Sequence, residues 1–146
     1  MICTRKRLRL CVALLAMNLA FIWGNSLLPG EVSGTLSRWI KELLLGAAGT
    51  ETGHGLLRKL AHFTEFACLG FLLTWLAKMK GERGFHLFAL ALLGGLLTAC
   101  IDESIQLLIP ARGPSLVDVW IDTSGVVIGI AALFGVYYFD SWRNQQ

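Results

Sequence analysis

The sequence predicts an all-α membrane protein with four transmembrane helices and a short amphipathic helix between spans one and two. Its 146 residues are 55% hydrophobic and 16% charged, whereas an ordinary globular domain is roughly 25% charged. The apolar residues form four near-continuous runs of the length that a helix needs to cross a bilayer. The spans cover about residues 10–28, 60–77, 85–109 and 120–139. This length predicts a single domain, 1–146.

The first span follows a basic N-terminal segment, residues 5–9 (RKRLR), and Asn18 is the only polar residue within 10–23. A cleaved signal peptide has a similar pattern, but its cleavage requires small residues near the end of the apolar run. Residues 24–26 (GNS) match that requirement poorly. The first span is therefore predicted to remain uncleaved.

The amphipathic helix is predicted in the segment between spans one and two. Apolar residues recur there at helical spacing, and the charged residues lie largely off that stripe: Val32, Leu36, Trp39, Ile40, Leu43 and Leu44 form the apolar side. This pattern favours a helix in the membrane interface, with Trp39 as its anchor. The alternative is an ordinary helix packed on the ends of the bundle.

Basic residues near the ends of spans set the orientation of a membrane protein. With four spans, eight Lys and Arg residues lie on the side of the two termini and five lie on the other side. Both termini are therefore predicted to be cytoplasmic. The basic residues flank apolar runs and form no stripe with aromatic residues, so the composition excludes a nucleic-acid surface.

Polar residues interrupt three of the spans near what would be their outer ends. A rise of about 1.5 Å per residue places His62, Glu65, Asp102 and Asp122 at similar depths. The polar residues also share helix faces, at 58, 62 and 65, at 98, 102 and 106, and at 118 and 122. Gly125 and Gly129 continue the last face as a G-x-x-x-G pair, which lets helices approach closely. These observations predict an outward-facing pocket between spans two, three and four.

The charges of this predicted pocket do not balance. Three bases and five acids give a net charge of −2 if His62 is neutral: Arg58, Lys59 and Arg112 against Glu65, Asp102, Glu103, Asp118 and Asp122. A protonated carboxylate, a charged His62 or a bound cation would each offset the excess, and the sequence leaves the three open. An ion-pair network that only holds the bundle together is the structural alternative.

Several of these residues also have simpler interpretations. Arg58 and Lys59 can extend to lipid headgroups, and Asp118 can serve only as an acid in a first helical turn. Glu103 points away from the Asp102 face, which allows it to be solvated. The remaining histidines lie outside the cluster and are predicted surface residues: His54 and His86.

The same polar residues carry a resemblance to the VanZ-like family of membrane proteins. Residues 58–66 (RKLAHFTEF) resemble its R-K-x-x-H-F-x-E-[FY] motif, and residues 102–112 (DESIQLLIPAR) resemble D-E-x-x-Q-x-x-x-P-G-R. Residues 118–129 (DVWIDTSGVVIG) resemble D-x-x-x-[ND]-x-x-G-x-x-x-G, and residues 25–31 (NSLLPGE) resemble the segment after the first span. The family usually has glycine where this chain has Ala111.

The resemblance implies a multi-pass protein of the bacterial cell membrane, with one VanZ-like domain over 1–146. A named member of the family is associated with resistance to the glycopeptide antibiotic teicoplanin, without an established molecular activity. The motifs suggest the following ligand-binding residues: Arg58, Lys59, His62, Glu65, Asp102, Glu103, Gln106, Arg112, Asp118 and Asp122.

Two functions are compared for this pocket. In the first, the protein binds the head of an amphiphile such as a lipid-linked cell-wall precursor or a lipoglycopeptide, in which arginine forks contact phosphate or carboxylate. In the second, it is an enzyme acting on a lipid headgroup, with His62, Glu65 and Asp102 as candidate catalytic residues and with possible metal assistance. Transport is disfavoured because carrier sites lie near the midplane. No cofactor or metal follows from the sequence.

Overall fold

The computed structural model describes residues 5–29, 53–110, 113 and 115–143, with only the backbone described for 53–57. These residues form four helices: α1 (Arg5–Ser26), α2 (Gly53–Met79), α3 (Gly84–Leu107) and α4 (Leu116–Arg143). Each helix contains a stretch that is long and apolar enough to cross a membrane. The predicted all-α fold with four membrane-spanning helices is confirmed. The amphipathic helix predicted between spans one and two lies outside the described residues.

The α2–α3 connection is a tight turn, and it depends on a glycine that adopts a positive φ. Gly81 has a φ of 95°, a conformation that costs glycine little because it has no Cβ. The Glu82 N–H donates to the Ala77 carbonyl at 3.1 Å, and the Gly81 N–H donates to the Lys78 carbonyl at 3.1 Å. This pair of bonds is the Schellman arrangement that ends helices. It sets α2 and α3 as antiparallel neighbours.

Helix α4 begins at Leu116, about one turn before the apolar run that predicted its start. The Ser115 hydroxyl accepts a hydrogen bond from the Val117 N–H at 3.1 Å, as an N-cap residue does. Residues 115–118 (SLVD) match the [ST]-x-x-[DE] pattern that marks helix starts. The added turn matters because it places Asp118 on the helix, one turn before Asp122.

Helices α2 and α4 form the most extensive pair in the bundle, and glycines explain why they approach so closely. A Cβ on Gly125 would collide with the Phe63 carbonyl oxygen, and a Cβ on Gly129 would collide with the Ala67 carbonyl oxygen. The close approach predicted from the G-x-x-x-G pair is therefore present, and α2 is the helix on which the pair packs.

Val126 of α4 connects this crossing to α3. It is fully buried, and it lies against Gly70 of α2 on one side and Gly95 of α3 on another. A Cβ on Gly95 would lie 2.6 Å from both Val126 methyl carbons. Three helices therefore meet at this residue. The predicted polar site residues lie in the turns just beyond it.

Candidate functional site

Three buried side chains from three helices meet at one end of the bundle. His62 lies near the start of α2, Asp102 near the end of α3, and Asp122 near the start of α4. Each offers one oxygen or nitrogen atom, and these atoms lie within 4.8 Å of one another. The three residues that helix depth placed in one layer therefore meet in space.

Asp102 is held by hydrogen bonds from two different helices. The Ser26 hydroxyl of α1 donates to Asp102 Oδ1 at 2.6 Å, and the Gln106 side-chain amide donates to Asp102 Oδ2 at 2.9 Å. His62 Nδ1 lies 3.9 Å from Asp102 Oδ2. Asp102 has no solvent exposure, so these contacts fix the orientation of its carboxylate.

The contribution of α1 is the feature that the sequence interpretation missed, since it placed the pocket between spans two, three and four alone. Besides Ser26, Asn25 donates from its side-chain amide to Glu65 Oε1 at 3.4 Å. Asn18 donates to the Glu65 backbone carbonyl at 3.4 Å. Two signals were available: Asn18 is polar within an apolar run, and Asn25 and Ser26 begin the segment that resembles the family.

Glu65 takes a different position from the other predicted site residues. Its carboxylate faces α1 through Asn25, and it is not among the residues that line the cavity next to Asp122. Its Oε2 atom is buried and has no hydrogen-bond partner among the described residues. The structure therefore separates Glu65 from the His62, Asp102 and Asp122 group, although all four lie in one layer.

A small cavity opens from this group toward the end of the bundle. Its volume is about 10 Å³, about the space that one water molecule needs. Lys59 Nζ lies 3.4 Å from Asp118 Oδ1, and the lysine side chain is 42% exposed, so this ion pair marks the mouth. The lining combines two bases, three acids and three other side chains: Arg58, Lys59, His62, Glu103, Gln106, Asp118, Ile121 and Asp122.

Glu103 is buried, so the alternative in which it is solvated is wrong. Its Oε2 atom accepts a hydrogen bond from the Ser115 N–H at 2.9 Å. That bond satisfies a backbone donor at the start of α4, which explains why a side chain off the Asp102 face turns back into the bundle. Glu103 Oε1 has no hydrogen-bond partner among the described residues. The residue therefore ties the end of α3 to the cap of α4.

A second and larger groove lies between α3 and α4. Its volume is about 270 Å³, and it is open to the surface. Glu103 lines both this groove and the small cavity. Its other walls are mostly apolar or small side chains: Cys100, Ser104, Leu107, Ser115, Leu116 and Val119.

The remaining predicted residues differ in where they lie. Gln106 is buried beside Asp102, and Arg58 is partly buried at the cavity. Arg112 lies outside the described residues. His86 is an exposed residue near Glu82 at the opposite end of the bundle, as predicted, and the side chain of His54 is outside the described part of the chain.

The fold and the site together define a multi-pass membrane protein with a buried polar cluster near one end of its helical bundle. A model of the VanZ/LLP1 family matches residues 9–138, which includes all four helices in large part and every residue of the cluster. The chain belongs to the VanZ/LLP1 family. No match to it was found among curated proteins or among solved structures.

Ser26→Ala tests whether α1 is part of the site. We expect it to lower the free energy of unfolding by about 1.5–3 kcal/mol, because a hydrogen bond to a buried carboxylate is lost. Ser124→Ala is the matched control, since the Ser124 hydroxyl is exposed and bonds only to the Ile121 carbonyl of its own helix. Thermal unfolding in detergent measures both, and equal melting temperatures for the two variants would contradict the role of Ser26.

Proposed function

We propose that this protein binds the polar head of an amphiphilic ligand in the outer leaflet of a bacterial cell membrane and so contributes to glycopeptide resistance. The ligand class is a lipid-linked cell-wall precursor or a lipoglycopeptide such as teicoplanin. The observation that carries the proposal is that a cavity mouth bearing Arg58 and Lys59 adjoins an apolar groove, because Glu103 lines both. An amphiphile needs both surfaces side by side.

Arg58 and Lys59 supply the contacts for an anionic head. Arg58 presents a planar fork that suits phosphate or carboxylate, and Lys59 acts as a point charge. Lys59 is already held by Asp118, so an incoming anion exchanges one partner for another at a fixed position. The cavity behind them has room for about one water molecule, so the head lies at the mouth and does not enter. Arg112 is proposed as a third base.

The groove supplies the contacts for an apolar chain. Leu107, Leu116 and Val119 give it apolar walls, and its 270 Å³ is slightly below the roughly 300–1,000 Å³ of small-molecule pockets. That size suits the first part of an acyl chain, whose remainder would stay in the lipid. The proposed orientation, with both termini cytoplasmic and one VanZ-like domain over 1–146, directs this end outward.

Teicoplanin susceptibility in a Gram-positive host tests the function. Compared with empty vector, the wild-type protein is expected to raise the inhibitory concentration. Lys59→Ala is expected to lose most of that increase because it removes the charge at the mouth, whereas Lys80→Ala removes a charge near the opposite end. All proteins are compared at equal membrane levels. A wild-type protein that gives no increase, or a Lys59→Ala variant that retains all of it, would contradict the proposal.

The groove is tested in the same assay with a matched pair of tryptophans. Ser104→Trp places a large ring in the groove, and Ser124→Trp places the same ring on an exposed face of α4. Both serine hydroxyls bond only to carbonyls of their own helices, so neither substitution breaks a contact between helices. Only Ser104→Trp is expected to reduce resistance, and equal effects would argue against a chain in the groove.

One observation favours the second candidate, an enzyme acting on a lipid headgroup. His62 lies close to the buried carboxylate of Asp102, and an adjacent carboxylate orients and stabilises a histidine that accepts a proton. Glu65 faces α1, so His62 is the general base in this proposal. Turnover of a labelled lipid by the purified protein, abolished in His62→Gln, would favour catalysis over binding alone.

A further inference from the structure

We propose that His62, Asp102 and Asp122 form a binding site for one divalent transition-metal ion of the Zn²⁺ or Mn²⁺ class. The ion would lie between these three side chains, next to the small cavity that His62 and Asp122 line. This proposal stands apart from the proposed function, because an amphiphile can bind at the mouth without an ion behind it and an ion can be held without an amphiphile.

Asp122 carries the argument. It is 1% exposed, and neither of its carboxylate oxygens has a hydrogen-bond partner among the described residues. It lines the cavity, so the carboxylate faces open space within the protein. A buried carboxylate without donors is costly, and buried charges in proteins are paired or coordinate metals. The Lys59 cation does not fill this role, since its ion pair is with Asp118.

The distances fit an ion at the centre of the three side chains. The donor atoms of His62, Asp102 and Asp122 lie within 4.8 Å of one another. Metal–ligand bonds of about 2.0–2.2 Å in a tetrahedral site place two ligand atoms about 3.3–3.6 Å apart. The three side chains therefore need to close by about 1 Å around an ion. The adjoining cavity of about 10 Å³ has room for one water molecule beside the ion.

Neighbouring side chains already hold Asp102 in one orientation, as is usual for a metal ligand. Ser26 and Gln106 each donate one hydrogen bond to its two oxygens. A carboxylate oxygen has two acceptor sites, so each oxygen retains one for an ion. Groups that orient ligands in this way raise the affinity of metal sites. Glu103 Oε1, buried at the same cavity without a described partner, is placed to accept from a water molecule on the ion.

The charges around the cavity favour an ion of charge +2. The described groups are two bases and four acids, a formal net charge of −2 with His62 neutral: Arg58 and Lys59 against Asp102, Glu103, Asp118 and Asp122. A divalent cation neutralises that excess. The imidazole ligand selects among cations, because Mg²⁺ and Ca²⁺ take oxygen ligands whereas imidazole suits Zn²⁺ and other transition metals.

Metal content and thermal stability of the purified protein test the site. After removal of metals with a chelator, Mn²⁺ or Zn²⁺ is added, excess ion is removed, and bound metal is counted by mass spectrometry. The wild-type protein is expected to retain about one ion per chain and to melt at a higher temperature with the ion than without it. Asp122→Asn is expected to bind at least about tenfold more weakly, and Asp140→Asn, at an exposed site, is expected to behave as wild type.

Each outcome decides the question. Equal metal content in wild type and Asp122→Asn, or no bound ion in wild type, would overturn the site. If Asp122→Asn fails to fold, the wild-type melting temperature still decides, since the absence of any rise with saturating Mn²⁺ and Zn²⁺ would refute the site. A rise with Ca²⁺ or Mg²⁺ alone would refute the class of ion. Metal binding without teicoplanin resistance would retain this site and overturn the proposed function.

Discussion

Gly129→Ala is expected to destabilise the helical bundle, although alanine is a better helix former than glycine. A Cβ at this position meets the Ala67 carbonyl oxygen, and it also lies 2.7 Å from the Phe71 backbone nitrogen. Backbone atoms cannot rotate away as a side chain does, so α2 and α4 must separate. Overpacking of this kind costs about 1–3 kcal/mol. The measurement is the melting temperature of the detergent-purified protein, which should fall.

Gly135→Ala on the same helix is the matched control. Among the described residues, no atom beyond its own stretch of helix lies within 4 Å of the position that its Cβ would occupy, so only the helix propensity changes, by up to about 1 kcal/mol in favour of alanine. The two substitutions are chemically identical, and they are expected to change the free energy of unfolding in opposite directions. A Gly129→Ala protein that is as stable as Gly135→Ala would show that the α2–α4 crossing is looser than described.

Asp102→Ala is expected to be the most damaging change in the polar cluster. It leaves the Ser26 hydroxyl and the Gln106 amide without the oxygens to which they donate, and both residues are buried. Each buried group that loses its partner costs about 1–3 kcal/mol, so the free energy of unfolding should fall by about 2–5 kcal/mol. Unfolding with a chelator present measures this loss without any contribution from bound metal.

Asp102→Asn separates the hydrogen bonds of Asp102 from its charge. The amide oxygen of asparagine can still accept from Ser26, while the charge is lost as in Asp102→Ala. We therefore expect Asp102→Asn to be more stable than Asp102→Ala by about 1–3 kcal/mol. Asp140→Ala, which breaks an exposed pair with Arg143, should cost less than about 1 kcal/mol. Equal losses for both Asp102 variants would mean that charge and not hydrogen bonding determines the stability.

Helix existence and depth were predictable from this sequence because both follow from counting residues along an apolar run. The same count placed His62, Asp102 and Asp122 in one layer, and the 3.6-residue period placed each on one polar face of its helix. Gly125 and Gly129 then indicated which face of α4 packs most closely. These local and periodic signals were sufficient to find the group that meets in space.

The sequence did not predict which neighbour each polar side chain faces, because depth along a helix does not define its rotation relative to the others. Glu65 was grouped with His62 from its spacing, yet its carboxylate faces Asn25 of α1. Ser26 lies at the last residue of α1, where a polar residue is ordinary. Its bond to Asp102 spans 76 residues of sequence, and no periodicity encodes a contact of that range.

The burial of Glu103 was also not predictable from the sequence. Its helix face left exposure open, but the backbone N–H of Ser115 requires an acceptor where α4 begins. This N–H belongs to the cap of α4, so the sequence of α3 alone does not show that Glu103 has a partner there. The cap itself was predictable from Ser115, whereas the partner of its N–H was not.

The position of Val126 determines how anything in the small cavity exchanges with its surroundings. Because the Val126 side chain packs on Gly95 and its backbone lies against Gly70, the three helices are closely packed one helical turn beyond Asp122. Among the described residues, the Lys59–Asp118 pair lies at the mouth of the cavity, on the side away from this packed layer. Substitutions at this pair should therefore change the rate at which the cavity exchanges water with its surroundings.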